Sequence, residues 1–411
     1  MKIIHIADLH LGKSLHGVNL LESGDQPHWV EEFLKLCASR RPQAVLIAGD
    51  VYDRGAPAAG AVELLDRLLT GLTELGAAVL LIPGNHDSAR RLGFGRSLLA
   101  RSGLHIAPPL TAPGVLSRVT LEDEYGPVDF WLLPYLFPAL AAEALGTELR
   151  DYDAAVRAVL AAQPVDFSRR NVILAHQNVT LGGAEPERGG SETMVGGVGQ
   201  VDASAFDGFD YTALGHIHAG YALGRPEIRY AGSPLCYHFN ETKQAAKGPL
   251  LVELGPKGAP LRVELLPIRP LHPLRAVCGE YDAIRAAEAE RAGGEEYLSV
   301  TLTDRRVTPE LAEALRSLFA AKGSLLMELS SDWQTALSEG GLSSTALRER
   351  GLAELFADFY AQRSGGAEPD EAELALLRQA SALAEQADTQ AEPESALVEK
   401  FLAEAMKQIE N

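Results

Sequence analysis

Five short polar motifs, each placed where a predicted apolar strand ends, constrain the fold of this chain more than any other feature. Taken alone, each motif is typical of an ordinary turn or helix cap. Five of the 11 histidines fall within these motifs, which chance rarely produces. Since open α/β sheets bind ligands beyond the carboxyl ends of their strands, we expect these side chains to lie close together. The motifs are Asp8-Leu9-His10, Gly49-Asp50, Gly84-Asn85-His86-Asp87, His176 and Gly215-His216-Ile217-His218.

Strands and amphipathic helices alternate along the first part of the chain, which predicts an α/β fold with helices covering a sheet. The helices are predicted at 29–39 and 61–75, the second with one apolar stripe of Val62, Leu65, Leu68, Leu69 and Leu72. Later strands follow one another without helices, so we expect the sheet to end in an antiparallel part. The strands are predicted at 3–8, 44–50, 77–82, 129–136, 171–175, 211–215, 227–231, 249–254 and 261–268.

A proline-rich joint at 267–273 precedes a short run that predicts a small α/β domain. Its elements are expected at 274–279, 281–292, 297–303, 309–321 and 325–329, in the order strand, helix, strand, helix, strand. The remaining residues are rich in Ala and Glu and predict short helices with narrow apolar stripes, which need something to pack on. They form either a helical pair that folds back on this chain or an arm that docks on a partner. The predicted boundaries are 1–270, 271–335 and 336–411.

The net charge of −19 argues against DNA binding by simple charge attraction, because nucleic-acid binders usually present a basic face. Bound divalent cations would supply local positive charge, and the acid is uneven, with 14 acidic and 6 basic residues within 341–411. No run of apolar residues is long enough to span a membrane, and the first residues do not predict a secretory signal. Three widely spaced cysteines, Cys37, Cys236 and Cys278, fit a reducing compartment. We therefore predict a cytoplasmic protein.

The residue types in the five motifs suit a pair of divalent cations that clamp a phosphoryl group. Such a pair needs one carboxylate that bridges both ions, together with neutral imidazoles and few formal charges. Mixed nitrogen and oxygen ligands suit Mn²⁺ or Fe²⁺ better than Ca²⁺. His86 would stand over the site, free to act as an acid or to stabilise charge. The candidate ligands are Asp8, His10, Asp50, Asn85, His176, His216 and His218.

These motifs resemble the calcineurin-like metallophosphoesterases, and within them the SbcD-type nuclease subunits of DNA repair complexes. The resemblance covers residues 1–270 and, beyond them, only the order of domains. It includes a Gly-rich segment at 188–197 that is similar to a loop near the family's active site. The stretches that carry it are 6–12, 48–53, 83–88, 175–179, 213–218 and 230–235.

The resemblance implies a layered β-sandwich flanked by helices, a small α/β capping domain and a C-terminal helical arm. Residue by residue, it implies one metal held by Asp8, His10, Asp50 and His218, and a second held by Asp50, Asn85, His176 and His216. It also implies that His86 is the catalytic histidine, and that a metal-activated water is the nucleophile. Arg90 and Arg91 follow the metal loop and are candidates for contact with DNA phosphates, although a solvated helix start fits them equally well.

The function that the resemblance implies is a Mn²⁺-dependent DNA nuclease, an exonuclease on duplex ends and an endonuclease on single strands or hairpins. The chain would act as a homodimer with an SbcC-type ATPase subunit that carries a coiled coil, in DNA repair, recombination and replication. It has no Gly-x-x-x-x-Gly-Lys-Ser/Thr motif of its own, so a partner must supply ATP handling. The small domain would shape access of DNA to the metals, or form a lid without DNA contact.

Two other functions stay open on the sequence. Asp53 stands where archaeal and eukaryotic relatives often carry a histidine, and the segment 49–55 also resembles a serine/threonine phosphatase signature. A stand-alone metallophosphatase or cyclic-nucleotide phosphodiesterase is therefore the main alternative. The Gly-His-Ile-His ending at 215–218 fits nucleases and small phosphodiesterases better than those phosphatases. The second alternative is a scaffold for the ATPase, which the intact ligand motifs disfavour.

Overall fold

The computed structural model describes residues 1–183, 199–243 and 246–332. The predicted arm at 336–411 and the Gly-rich segment at 188–197 lie outside these residues. All three cysteines lie within them, and none forms a disulfide. No helix of the described ranges is long and apolar enough to cross a membrane.

The described residues form strands and α-helices that are numbered in chain order. The strands are β1 Lys2–Ile6, β2 Ser14–Leu15, β3 Val18–Asn19, β4 Ala44–Ala48, β5 Ala78–Ile82, β6 Leu104–Ile106, β7 Ser117–Asp123, β8 Gly126–Leu133, β9 Arg170–His176, β10 Asn178–Thr180, β11 Gln200–Asp202, β12 Tyr211–Gly215, β13 Tyr221–Leu223, β14 Arg225–Tyr230, β15 Leu250–Glu253, β16 Arg262–Leu265, β17 Leu274–Gly279, β18 Tyr297–Leu302 and β19 Leu325–Ser331. The helices are α1 Asp25–Arg40, α2 Ala59–Glu74, α3 Ala89–Leu92, α4 Arg96–Leu99, α5 Pro138–Leu145, α6 Tyr152–Ala161, α7 Tyr281–Glu290 and α8 Pro309–Ala320.

Two six-stranded sheets form the centre of the fold, ordered β16-β15-β1-β4-β5-β6 and β13-β14-β12-β9-β8-β7. Their inner strands run parallel, as β1 does with β4 and β9 with β12. Antiparallel pairs lie toward the outside, as β15 pairs with β1 and with β16, whereas the edge strand β6 runs parallel to β5. The predicted antiparallel part is confirmed for β15 and β16, whereas β14 lies in the other sheet and pairs parallel with β12.

The two sheets pack face to face, and helices cover their outer faces. Leu46 of the first sheet and Val172 of the second lie in one buried cluster between the sheets. On the outer side of the first sheet, Phe33 of α1 and Leu68 of α2 pack with Ile47. Helices α5 and α6 cover the second sheet in the same way. Because both faces are covered, the central strands are apolar throughout, as is usual for parallel sheets. The predicted helix-flanked β-sandwich is confirmed.

Helix α2 differs from its predicted apolar stripe at one position. Leu65, Leu68 and Leu72 are buried as expected, together with Ala61. Val62 is 46% exposed, because the buried face is centred on the row that begins at Ala61 and Val62 falls beside that row. The helix therefore presents an apolar side chain to solvent.

The small domain has the predicted order of elements. Strands β17, β18 and β19 form a parallel three-stranded sheet, and its core with α7 and α8 includes Leu298, Val300 and Phe319. The sheet is joined to the larger fold at α1, where the Tyr297 hydroxyl donates to Asp25 Oδ2 at 2.9 Å. Residues Met1–Trp333 thus form one compact unit.

A buried ion pair at the amino end of β9 makes a prediction about acid stability. Arg170 donates to the Asp123 carboxylate at the end of β7, and both side chains are buried. Asp123→Asn is expected to cost about 3–5 kcal/mol at pH 7, because Arg170 stays buried without its counter-charge. Urea denaturation of both proteins measures this difference.

The same pair gives the pH dependence. The hydrogen bond from Arg170 holds the pKa of Asp123 well below its ordinary value. A carboxylate with a depressed pKa stabilises the fold above its unfolded pKa, about 3.9, and that stabilisation is lost as the pH falls further. The difference between wild type and Asp123→Asn is therefore expected to shrink below about pH 4. A difference that stays constant from pH 7 to pH 3 would contradict this account.

Candidate metal centre

The five polar motifs meet at one edge of the paired sheets, as predicted from their positions. The strands β1, β4 and β5 of the first sheet and β9 and β12 of the second end at this edge. The structure brings together all seven predicted ligand residues and His86. Asp8 and His10 follow β1, Asp50 follows β4, Asn85 and His86 follow β5, His176 ends β9, and His216 and His218 follow β12.

Four of these residues hold left-handed backbone conformations that side chains rarely adopt. The φ angles are 55° at Asp8, 43° at His10, 47° at Asp50 and 97° at His216. Each costs free energy for a residue with a side chain and persists only where the surrounding structure holds it. Such strain clusters at functional sites, and here it turns the side chains of three separate strand ends toward one point.

Two glycines let the strand ends approach one another closely. A Cβ at Gly84 would lie 2.1 Å from Asp50 Oδ1, and a Cβ at Gly215 would lie 1.9 Å from the Ala48 carbonyl oxygen. Neither distance is tolerable for real atoms, so any side chain at these positions would push the loops apart. The glycine before Asn85 and the glycine before His216 are therefore required by the packing of the site.

One half of the centre joins residues from β1 and β12. The Nε2 atoms of His10 and His218 lie 3.1 Å apart. Together with Asp8, these residues each offer a ligand atom within 4.8 Å of the others. The Asp8 carboxylate also accepts from the His216 backbone N–H at 2.9 Å, which fixes its orientation.

The other half joins Asn85, His176 and His216. The Asn85 Oδ1 atom lies 3.1 Å from His176 Nε2 and 3.1 Å from His216 Nδ1. His176 Nδ1 lies 2.8 Å from the Ala48 carbonyl oxygen, which can only accept, so Nδ1 carries the proton. Nε2 is therefore the ring nitrogen that faces the centre, and it can bind a metal ion once its own proton has left.

Asp50 lies between the two halves. Its Oδ2 atom is 3.2 Å from His176 Nε2 and 3.6 Å from His10 Nε2. Its Oδ1 atom accepts from the His86 backbone N–H at 2.9 Å. One carboxylate thus reaches both groups of imidazoles, as a bridging ligand must.

His86 stands at the open side of the centre and is half-buried. Its Nδ1 donates to the Asp53 carbonyl oxygen at 2.9 Å, so its Nε2 is left to face the site. Its ring lies 4.8 Å from the His10 ring. With His10 and Asp50 it also offers an atom of a close three-residue group, so distance alone does not exclude it as a ligand.

The electrostatics of the centre follow from burial opposed by neighbouring charge. Burial raises the pKa of Asp8 to about 6 and lowers that of His10 to about 4. Burial also lowers the pKa of His216 to about 3. Burial alone would lower the pKa of His176, but the Asp50 carboxylate raises it to about 9. His10 and His216 are thus neutral near pH 7, as metal ligands must be.

This donor set fits divalent cations. Ring nitrogens of His10 and His218 face each other, and a carboxylate oxygen, an amide oxygen and an imidazole nitrogen converge on the other side. Atoms that carry lone pairs gather this closely around a positive charge. Mixed imidazole, carboxylate and amide donors suit Mn²⁺ or Fe²⁺.

Glu241 is a part of the site that the sequence patterns did not reveal. It is buried, and its Oε1 lies 3.4 Å from Nδ1 of His218. Its other oxygen lies 2.9 Å from Lys247 Nζ, which also donates to the His218 carbonyl oxygen at 2.7 Å. Burial would raise the pKa of Glu241, but His218 and Lys247 lower it to about 2. The sequence signal available was an acidic residue that closely follows the mostly apolar segment 235–239, which also contains His238.

The loop around Asn85 is held by Asp87. Its carboxylate accepts from the backbone N–H groups of Val51, Tyr52 and Gly84 at 2.9–3.0 Å. It therefore fastens the loop after β5 to the loop after β4, which carry Asn85 and Asp50.

The two predicted phosphate contacts lie on α3, and both arginines are exposed. Arg91 donates to the Gly55 carbonyl oxygen at 2.9 Å, which ties α3 to the loop after Asp53. A role for Arg90 and Arg91 in binding DNA stays a prediction.

Comparison with known proteins identifies the family. Residues 1–220 match the calcineurin-like phosphoesterase family, and residues 270–364 match the type 5 capsule protein repressor C-terminal domain. Over 314 residues the chain is 33% identical to the SbcD subunit of the nuclease SbcCD from Staphylococcus saprophyticus, and the match covers 74% of this chain and 78% of that protein. The chain belongs to the SbcD family of calcineurin-like phosphoesterases. The resemblance drawn from the motifs is confirmed.

Two solved structures align with the SbcD-family chain at 12% identity, over 64% and 65% of its length. They are covered to 98% and 100%, with TM-scores of 0.34 and 0.27, and the second is described as a novel archaeal phosphodiesterase. Likeness at this level carries no argument about function.

Proposed function

We propose that this chain is the nuclease subunit of an SbcCD-type complex, a Mn²⁺-dependent enzyme that cleaves phosphodiester bonds of DNA. The observation that carries the proposal is the convergence of seven ligand side chains and His86 at one sheet edge of an SbcD-family chain. The activity would be exonucleolytic on duplex ends and endonucleolytic on single strands and hairpins.

In this proposal the two halves of the centre would hold one metal each, and Asp50 would be a ligand of both. Asp8, His10 and His218 complete one ligand set, whereas Asn85, His176 and His216 complete the other. When bound, such a metal pair activates a water molecule and neutralises charge on the phosphoryl group.

The chain's own groups orient these ligands and move a proton. The Ala48 carbonyl oxygen holds His176 in the ligand tautomer, and the Asp53 carbonyl oxygen holds His86 with Nε2 toward the substrate side. In its protonated form, Nε2 of His86 would donate a hydrogen bond or a proton to the leaving oxygen. General acid catalysis of this kind contributes about 10²–10⁴-fold to a rate.

The test is incubation of the purified chain with Mn²⁺ and a labelled DNA hairpin, in parallel with a small phosphomonoester. We expect cleaved hairpin and little turnover of the monoester. Fast monoester turnover with intact DNA would make this chain a phosphatase and overturn the proposed substrate.

Glu241 is expected to hold His218 as a metal ligand. Removing the outer partner of a ligating histidine typically costs 10–100-fold in metal affinity, so Glu241→Gln should weaken Mn²⁺ binding by about that factor. Isothermal titration calorimetry with Mn²⁺ measures it, and the exposed Glu264→Gln serves as the matched control. Unchanged affinity in Glu241→Gln would limit Glu241 to packing.

The domain proposal keeps the boundaries 1–270, 271–335 and 336–411. The small domain would cap the nuclease domain and shape access of DNA. The residues from 336 onward, which lie outside the described part, would dock on the coiled-coil base of an SbcC-type ATPase.

We further propose that the chain forms a homodimer through the helices that follow Asp53 and Asp87. Exposed apolar side chains on these helices and in the turn between α3 and α4 support it, namely Val62 at 46%, Phe94 at 86% and Leu98 at 68% exposure. Such side chains are typical of a surface that is covered by a partner.

The double variant Phe94→Asp/Leu98→Asp is expected to be monomeric, because two charges would be buried without partners. Analytical ultracentrifugation at micromolar concentration measures the mass. Val115→Asp, which places a charge at another exposed valine, is the control. A double variant that remains dimeric would exclude α3 and α4 from the interface.

A further inference from the structure

A half-buried tyrosine and an exposed phenylalanine border the candidate metal centre. Tyr135 and Phe137 follow β8 at the same sheet edge as the metal ligands. The Tyr135 ring lies 6.2 Å from the His216 ring and 6.1 Å from the His176 ring. The Phe137 ring packs edge-on to Tyr135 at 4.8 Å and is 46% exposed. An unbroken series of rings thus leads from the ligands to solvent.

The pair is held in place by its surroundings. The Tyr135 backbone N–H donates to the Pro83 carbonyl oxygen at 3.0 Å, directly before the loop that carries Asn85. Tyr135 also packs against Tyr152 of α6 at 6.3 Å. Phe137 precedes Pro138, the first residue of α5, whose ring restricts the backbone there. Because this loop is held at both ends, little conformational entropy is lost when a ligand packs against Phe137.

The chemistry of the site indicates what covers this aromatic surface. A phosphodiester in the metal centre carries its attached nucleotides past the rim, and a nucleobase has a flat face that stacks on aromatic rings. The chain carries a net charge of −19, so general attraction of phosphates contributes little to its affinity for DNA. Base stacking does not depend on that charge, because every base has a π-face.

We propose that Phe137, supported by Tyr135, is the stacking platform for an unpaired base next to the scissile phosphate. The inference rests on the proposed nuclease function and deepens it, since it names an unpaired nucleotide as the element recognised beside the metals. A paired base is not free to stack in this way, so the platform would favour hairpin loops, single strands and frayed ends. Small phosphomonoesters have no base to stack and would gain nothing from it.

The experiment compares the wild type with Phe137→Ala, Phe137→Leu and Phe137→Trp. Phe167→Ala is the matched control, because Phe167 is 47% exposed, as Phe137 is. Phe167 precedes the amino end of β9, whereas the candidate ligand His176 lies at the carboxyl end of that strand. Substrates are a single-stranded oligonucleotide and the same strand with abasic residues flanking the cleaved bond. Quenching of 2-aminopurine at that position reports stacking directly, apart from cleavage.

We expect Phe137→Ala and Phe137→Leu to lose about tenfold in kcat/KM on the intact strand, within the range that removal of one stacking ring costs. Phe137→Trp should retain activity and quenching, and Phe167→Ala should match the wild type. On the abasic strand, all variants should be equally slow.

Three results would overturn the inference while leaving the nuclease function intact. They are unchanged cleavage and quenching in Phe137→Ala, an equal loss on the intact and abasic strands, or unchanged DNA cleavage with weakened binding of the ATPase partner. The absence of any DNA cleavage by the wild type would instead refute the proposed function itself.

Discussion

Asp50→Asn is expected to abolish Mn²⁺-dependent DNA cleavage and to lower the number of bound metal ions. Asp50 reaches both groups of imidazoles, with Oδ2 3.2 Å from His176 Nε2 and 3.6 Å from His10 Nε2. The neutral amide of asparagine supplies no negative charge and has one oxygen where the carboxylate has two. The loss should exceed the 10–100-fold that removing the outer partner of a ligating histidine costs, because both proposed metal sites would lose a ligand.

Two measurements separate this account from simple unfolding. Calorimetric titration with Mn²⁺ should show a stoichiometry below two in Asp50→Asn, and circular dichroism should show an intact fold. The exposed Asp66→Asn on α2 is the matched control and should bind two ions. Two tightly bound ions in Asp50→Asn would contradict the bridging role.

Asp50→Asn is also expected to change the titration of His176 in the metal-free chain. The Asp50 carboxylate raises the pKa of His176 in the metal-free chain to about 9. Once that charge is removed, burial dominates, so the pKa of His176 is expected to fall. Histidine NMR signals recorded against pH detect this shift, and a pKa that stays in place would show that another group charges His176.

His86→Ser is expected to stop cleavage while leaving the metals bound. The Nδ1 atom of His86 donates to the Asp53 carbonyl oxygen, so its Nε2 faces the centre. The substitution therefore removes the proposed proton donor and leaves the proposed metal ligands in place. We expect a fall of about 10²–10⁴-fold in kcat, the usual contribution of general acid–base catalysis. Titration calorimetry should give a Mn²⁺ affinity within about twofold of the wild-type value. Loss of a residue that orients a metal ligand would instead lower the affinity by about 10–100-fold.

The variant also decides between two roles for this histidine. His86, His10 and Asp50 offer ligand atoms within 4.8 Å of one another, so the geometry permits coordination. Loss of a Mn²⁺ ion in His86→Ser would place His86 among the ligands. His105→Ser, on the edge strand β6, is the control for a histidine outside the centre.

Most central strands were predictable because their apolar runs are long and end at Gly or Asp. Strand β12 has the predicted bounds, and β4 and β5 differ by at most two residues. Strand β7 was missed because its side chains alternate between half-buried and exposed, so no apolar run marks it. Helix α5 was missed because Pro138 suggests a break in the sequence, whereas it begins the helix.

The candidate ligands were predictable from the sequence, because carboxylates, imidazoles and an amide recur together at the ends of predicted strands and suit divalent cations. The sequence did not determine which of them share an ion. His10 and His218 are 208 residues apart, and their 3.1 Å separation depends on how the two sheets pack across their common core. The contact of Glu241 with His218, the placement of Asp50 between the imidazoles and the ring series from His216 to Phe137 arise in the same way. These distances are set by side-chain packing between distant segments, and only the tertiary structure decides that packing.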